Sequence, residues 1–346
     1  IGWYRKHFIL DEDHSGKHVR IEFDGIYNNS TVWINGVKLG SRPYGYSSFS
    51  YELTPYLKGA GEDNVIAVRV DRTAYVDSRW YTGSGIYRDV RLVVTDQVHI
   101  PQWGVRITTP EITGEKALVH VETEVDPGDR AGESISIELK IKGPGGAIVA
   151  SLEEDLDLKD GALLAREIAL EDPALWSLET PSLYCAELKL SDGSRVLDER
   201  SQAFGIRSIR FDADKGFFLN DKSVKIKGVN MHHDAGCLGA AVPKDVWQMR
   251  IARLQSMGCN AIRMAHNPHD PNFMDACDEM GMLVMAETRY FSATDEHRNQ
   301  LEALLRVHRN HPSIVIWSIG NEEMHVHVTP EGPRIARSMR QAVARR

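Results

Sequence analysis

The hydrophobic period of the chain changes once, near Ile209, and that single change limits the folds open to it. Before it, apolar and polar residues alternate in short runs: HVRIEF, TVWING and NVIAVRV up to about Asp96, then ALVHVETEV, SISIELKIKG and LYCAELKLSD up to about Arg207. Alternation sends every second side chain to the same face, so each run reads as a half-buried strand. The breaks between them, such as DGIYNNS, KGAGEDN and DPGDRAG, are rich in turn formers. Residues 1–96 are therefore expected to form one β-sandwich and residues 97–207 a second, smaller one.

Beyond Ile209 the period lengthens. DVWQMRIARLQSMG sets Trp247, Ile251 and Leu254 on one helical face, with Gly258 placed to cap the end, and NAIRMA follows as a strand. The unit returns with Asp270 as N-cap, Pro271 in the first turn, Gly281 closing the helix and MLVMA as the strand. It returns again as EHRNQLEALLRVHRNHP before SIVIWSI. With VKIKGV as a first strand, residues 208–346 alternate four strands with helices, the pattern of a parallel α/β domain and of a β/α barrel.

Charge and composition exclude several roles. A net charge of −8, with Lys and Arg dispersed among acids, supplies no basic face for nucleic acid. No apolar stretch is long enough to span a bilayer, and IGWYRKHFIL reads as a strand rather than a leader. A cytoplasmic location is favoured, with secretion or a periplasmic site left open because a leader lost before Ile1 would not show. Cys185, Cys237, Cys259 and Cys277 have no metal-ligand spacing and are expected to be reduced, mostly buried thiols.

Each barrel strand ends in groups that a core would not choose: Asn230 and His232, then His266 and Asn267, then Glu287, then Asn321 and Glu322. In a β/α barrel these ends share one face, where active sites are built. Any one of these groups could be structural, but four successive ends carrying them point to a site. Strand parity places Ile314, Ile316, Ser318, Gly320 and Glu322 on the interior face and Val315, Trp317, Ile319 and Asn321 on the other. Glu322 then stands at the rim of the cavity that Ser318 and Gly320 leave open, while Glu323 points to solvent or a salt bridge.

The run RNHPSIVIWSIGNEE closely resembles the acid/base signature of glycoside hydrolase family 2. So do GWYRKHFIL, FDGIYNNSTVWINGVKLGSRPYGYSSFSYELTPYL, WYTGSGIYRDVRL, FGIRSI, KGVNMHHD and IRMAHNPHDPNFMDACDEMGMLVMAE, in the family's order and over nearly the whole chain. The resemblance implies a jelly-roll sugar-binding domain (1–96), an immunoglobulin-like β-sandwich (97–207) and the first half of a (β/α)8 TIM barrel (208–346), in a retaining exo-glycosidase. By the same resemblance Glu322 is the acid/base, kept protonated by partial burial and a neighbouring carboxylate. Asn321 binds the sugar's 2-hydroxyl through a local bend, and His232, His266 and Asn267 contact the innermost sugar, with His233 and Asp234 supporting them. Arg79, Trp80 and Tyr81 would extend from the first domain to wall the pocket; the plainer alternative is a structural turn between domains.

Geometry alone nominates Glu287, one strand away, as the nucleophile, whereas the family's nucleophile is a glutamate on the seventh barrel strand. On that ground the chain is expected to be a fragment clipped at both ends and inactive alone. Glu287 is similar in position to a carboxylate that binds Mg2+ in well-known β-galactosidases, but Arg289 stands where a histidine is expected. No cofactor is therefore expected to be required, and Mg2+ dependence is doubtful. Arg289 supplies positive charge in the ion's place, or else Glu287 and Arg289 form a structural salt bridge. WSIGNE, RPYGYSSF and AHNPHDP look most like the β-galactosidase branch, implying β-galactoside oligosaccharides or glycoconjugates as partners and a possible homo-oligomer. The alternatives are a β-glucuronidase or other family 2 β-glycosidase, and a non-catalytic carbohydrate-binding or assembly fragment.

Overall fold

The computed structural model describes residues 1–10, 14, 16–74, 80–159 and 162–344, the side chain of His325 excepted. Its first unit is a sandwich of two antiparallel sheets. One orders the strands Gly2–Ile9, Asp63–Val70, Ser30–Ile34 and Val37–Arg42; the other orders Phe49–Glu52, Lys17–Phe23 and Val90–Asp96. In Asp63–Val70 burial alternates residue by residue, with Asn64, Ile66, Val68 and Val70 inward. Ile66, Val68 and Val70 meet Val19, Ile21, Phe23 and Phe49 from the opposite sheet in one core.

A second sandwich packs the strands Val105–Ile112, Lys116–Val125 and Ala162–Glu171 on Ile148–Asp157, Ser134–Lys142, Tyr184–Ser191 and Val196–Phe204. The inward residues of its central strands, Val119, Val121, Ile137 and Leu139, are almost wholly buried. Each contributes roughly 1.5–3 kcal/mol of transfer free energy.

The third unit is a sheet of four parallel strands in sequence order: Gly228–Met231, Ala261–Met264, Leu283–Glu287 and Ile314–Ser318. Helices Lys244–Ser256, Pro271–Met280 and Asp295–His308 connect them. Asp270 caps the second helix by accepting from the Asn272 N–H at 2.7 Å. Gly281 ends it at φ +68°, where an added Cβ would also strike the Leu178 carbonyl of the second sandwich. Trp247, Ile251, Phe273, Leu301 and Leu304 cover the sheet's outer face. A closing helix, Gly332–Ala344, not foreseen from the sequence, adds Ile335 and Met339 to that layer.

Two expectations need correction. The first barrel strand starts at Gly228 rather than at Val224, because Asn260 holds the backbone before it: its side chain accepts from Lys227 N–H at 2.7 Å and donates to the Lys225 carbonyl at 3.0 Å. The fourth strand does not keep a single parity. A register shift opposite Val284 and Met285 leaves Ile314 on the helix side and turns Val315 to the interior, after which Trp317 and Ile319 face the helices and Ser318 faces inward.

The barrel floor is closed. Phe217 and Leu219 of the hairpin Ile209–Asp212/Gly216–Leu219, with Trp176 of the second sandwich, pack under Ala261, Leu283 and Val315. Among the described residues this leaves the carboxyl ends of the strands to form a mouth. Of the cysteines, Cys277 alone is buried while Cys237 is exposed, which corrects the expectation of mostly buried thiols; all four are free. Among the described residues no helix is long and apolar enough to cross a membrane.

Candidate active site

At the mouth the second, third and fourth strands deliver Arg263, Glu287 and Ser318 to the interior. Glu287 is fully buried, and both its oxygens are engaged. Oε2 accepts from Arg263 Nε at 2.7 Å and Nη2 at 2.6 Å and from Ser318 Oγ at 3.0 Å, while Oε1 meets His266 Nδ1 at 2.7 Å. Arg263 Nη2 also donates to Asn321 Oδ1 at 2.9 Å. One guanidinium thus neutralises the buried carboxylate and ties it to the end of the fourth strand.

Asn321 turns inward where the chain bends, and it is 4% exposed. Its Nδ2 has no hydrogen-bond partner among the described residues, nor do the two amide ends of Asn267 and the Nδ1 of His232. Burying such groups unpaired costs about 1–3 kcal/mol each, which a polar ligand would relieve. Glu322 follows at φ +45°, a left-handed conformation that swings it out of the strand line, and it is exposed. The burial expected around it is thus not supplied by the described residues.

Arg289 does not pair with Glu287. Its Nη1 donates to Glu323 at 2.9 Å, which accounts for the second glutamate of the pair and rules out the Glu287–Arg289 bridge as an alternative. Glu287 is surrounded by donors and Arg289 is cationic, a set that does not suit a Mg2+ ion.

The first sandwich does reach the mouth. Trp80 stacks on His232 at 5.2 Å, meets the His266 ring edge-on at 5.5 Å and donates to Tyr46 OH at 3.2 Å, with the Arg289 guanidinium 5.7 Å from its ring. Tyr81 lies farther out, 59% exposed and packed toward Gly239, and Arg79 is outside the described residues. Asp234 is engaged through its backbone, whose carbonyl accepts from Arg250.

Beneath the mouth Arg88 crosses between the domains. It donates to the carbonyls of Asp24, Tyr46 and Pro268 at 3.2, 3.1 and 2.7 Å, holding the segment that carries His266 and Asn267. His233 and His269 pack beside it, their rings 5.3 Å apart and almost fully buried. Burial foremost, then the Arg88 charge, holds both well below the usual histidine range. A depressed histidine stabilises the fold fully above the unfolded value of 6.5, and that contribution is lost as pH falls through the folded value. The stability gap between wild type and His269→Gln is accordingly expected to narrow as pH drops below 6.5. Thermal melts across that window check it, and a gap that widens or stays constant would contradict it.

Sequence reasoning missed Arg263 and Arg88, and it placed Ser318 in the interior without its bond to Glu287. A signal existed for the first, since an arginine inside the apolar strand AIRMA at an inward position has to be paired.

Three family models match the chain in order: "Glycosyl hydrolases family 2, sugar binding domain" over residues 1–96, "Glycosyl hydrolases family 2" over 98–207, and "Glycosyl hydrolases family 2, TIM barrel domain" over 212–294 and 289–341. The beta-galactosidase BoGH2A of Bacteroides ovatus is 42% identical over 338 residues, covering 93% of this chain and 39% of the relative. A beta-glucuronidase of Bacteroides fragilis is 30% identical over 357 residues, covering 95% and 51%. The crystal structure of a glycosyl hydrolase family 2 member from Bacteroides cellulosilyticus superposes with a TM-score of 0.93 at 36% identity, covering 99% of this chain and 48% of that one. The chain thus spans between about two-fifths and one half of these proteins' own length.

Proposed function

The chain belongs to glycoside hydrolase family 2, and from that premise we propose that the full-length protein is a retaining exo-β-glycosidase acting on terminal β-D-galactosides. Glu322 protonates the leaving oxygen and then, as a base, activates water against the glycosyl-enzyme. Asn321 donates to the sugar's 2-hydroxyl, a bond that strengthens as the ring approaches the oxocarbenium-like transition state. His232, His266 and Asn267 read the remaining hydroxyls, and Trp80 offers an aromatic wall. The nucleophile is assigned to a barrel strand beyond the fourth rather than to Glu287, whose carboxylate is held by Arg263, Ser318 and His266.

The observation that supports a neutral sugar is the pairing of two arginines at the mouth among the described residues. Arg263 is paired with Glu287 and Arg289 with Glu323, so neither is a spare cation for a glucuronide carboxylate. The 42% identity to a beta-galactosidase points the same way, while the beta-glucuronidase likeness keeps the glucuronide as the second reading. A panel of nitrophenyl β-glycosides tested on the full-length protein decides between them. Turnover of the galactoside at least about tenfold above the glucuronide, a barrier difference of about 1.4 kcal/mol, is expected. The reverse order would overturn the galactoside reading.

The enzyme is proposed to need no metal. Exhaustive chelation should lower galactoside hydrolysis by less than about tenfold. A larger loss that Mg2+ alone restores would make Glu287 a metal ligand.

A further inference from the structure

We propose that the cavity where the two sandwiches meet the helix Asp295–His308 is a second, non-catalytic site for one neutral pyranose ring. It stands apart from the glycosidase reading, because among the described residues none of the groups gathered around Glu287 lines it. Its volume is about 350 Å³, within the range of small-molecule sites. Tyr44, Ser47 and Phe49 come from the first sandwich, Trp103 from the segment entering the second, and Gln300 and Arg306 from the helix.

Trp103 points to a ring-shaped ligand. It holds a left-handed φ of +59°, which a bulky side chain adopts only where its surroundings impose it. Its carbonyl accepts from Arg309 Nη2 at 2.6 Å, which pins the backbone. The indole is half-buried and belongs to none of the buried cores among the described residues, so hydrophobic packing does not account for the strain. What the strained backbone does is set an aromatic side chain on the wall of a polar cavity, as sugar sites require.

The polar atoms say what kind of ring. Tyr44 OH, Ser47 Oγ, Gln300 Oε1 and Arg306 Nε belong to lining residues, are buried, and have no hydrogen-bond partner among the described residues. Gln300 is 4% exposed and its Nε2 already donates to Glu296 Oε1 at 2.9 Å, so the amide oxygen is left to accept. Arg306 Nε donates, and the two hydroxyls do either. This mixture suits sugar hydroxyls, each of which both donates and accepts. Charge agrees: the lining sets Arg42 and Arg306 against Glu296 and Glu302, two of each sign, and Arg306 is paired with Glu124 at 2.9 Å. A neutral ligand follows.

The test labels the full-length protein with 5-fluorotryptophan and follows it by fluorine NMR, with Trp103 and Trp80 assigned through their Phe substitutions. Methyl β-D-galactoside, methyl β-D-glucoside and methyl α-D-mannoside are titrated in turn to roughly 100 mM, far above the midpoint of a site of about 1 mM affinity. At least one should move the Trp103 resonance saturably. Methyl β-D-glucuronide, which adds a carboxylate, should act at least about tenfold more weakly, and an equal response would overturn the neutral class. Gln300→Met keeps the shape and removes the acceptor, so it should weaken the Trp103 response at least about threefold. A Trp103 resonance that no sugar moves, or that responds alike in wild type and Gln300→Met, would overturn the proposal. Trp80 reports the mouth separately: a moving Trp80 beside a still Trp103 overturns this site and leaves the glycosidase reading standing, whereas a moving Trp103 beside a still Trp80 supports this site and counts against that reading.

Discussion

Glu322→Gln in the full-length protein is expected to lower turnover of lactose and other glycosides with poor leaving groups by about 10²–10⁴-fold, the usual contribution of a general acid–base group. Activated aryl glycosides should lose much less in the first step, because their leaving oxygen departs without a proton, and the glycosyl-enzyme should then accumulate for want of a base. Azide attacks without needing deprotonation, so it should restore turnover and yield a glycosyl azide with retained configuration. The position carries the argument. Glu322 follows Asn321 at the end of the fourth strand, at a left-handed φ of +45°. Its neighbour Glu323 is already bound to Arg289. Glu323→Gln should release Arg289 without abolishing lactose hydrolysis. Unchanged lactose turnover by Glu322→Gln would end the assignment.

The second large effect is on stability. Arg88→Ala removes a buried guanidinium that donates to three carbonyls and lies 4.0 Å from the buried Asp270. Leaving such partners uncompensated costs roughly 3–5 kcal/mol. The loss should register as a lower midpoint in urea or heat. Activity should fall as well, since the Pro268 carbonyl that Arg88 holds belongs to the segment presenting His266 and Asn267. A variant with the wild-type midpoint would show that water replaces Arg88 without cost.

The architecture was legible because it is written in period. Alternation in NVIAVRV marked its inward residues, and Asp270, Pro271 and Gly281 marked both ends of a helix through local backbone chemistry. Asn321 was expected to turn inward against its parity, and the chain does bend there. What sequence could not give was pairing. The sequence offered Arg289, two residues on, to pair with Glu287, whereas the group that holds it, Arg263, reaches across from the neighbouring strand. Similarly, one register shift near Val315 is invisible locally, because it is set by how the fourth strand seats on the third.

The link from Arg88 to Pro268 closes a loop of 180 residues. A contact that distant in the chain forms late, after both partners have folded locally, since the intervening loop must close before any of its contacts reward it. During synthesis the first sandwich emerges and can fold while the segment around Pro268 is still unmade. The mouth is therefore completed only when the first sandwich docks on the barrel segment. Until then His266 and Asn267 lack the anchor that sets their place, so binding competence is acquired as a last step of folding and is the first property to go when the two units part.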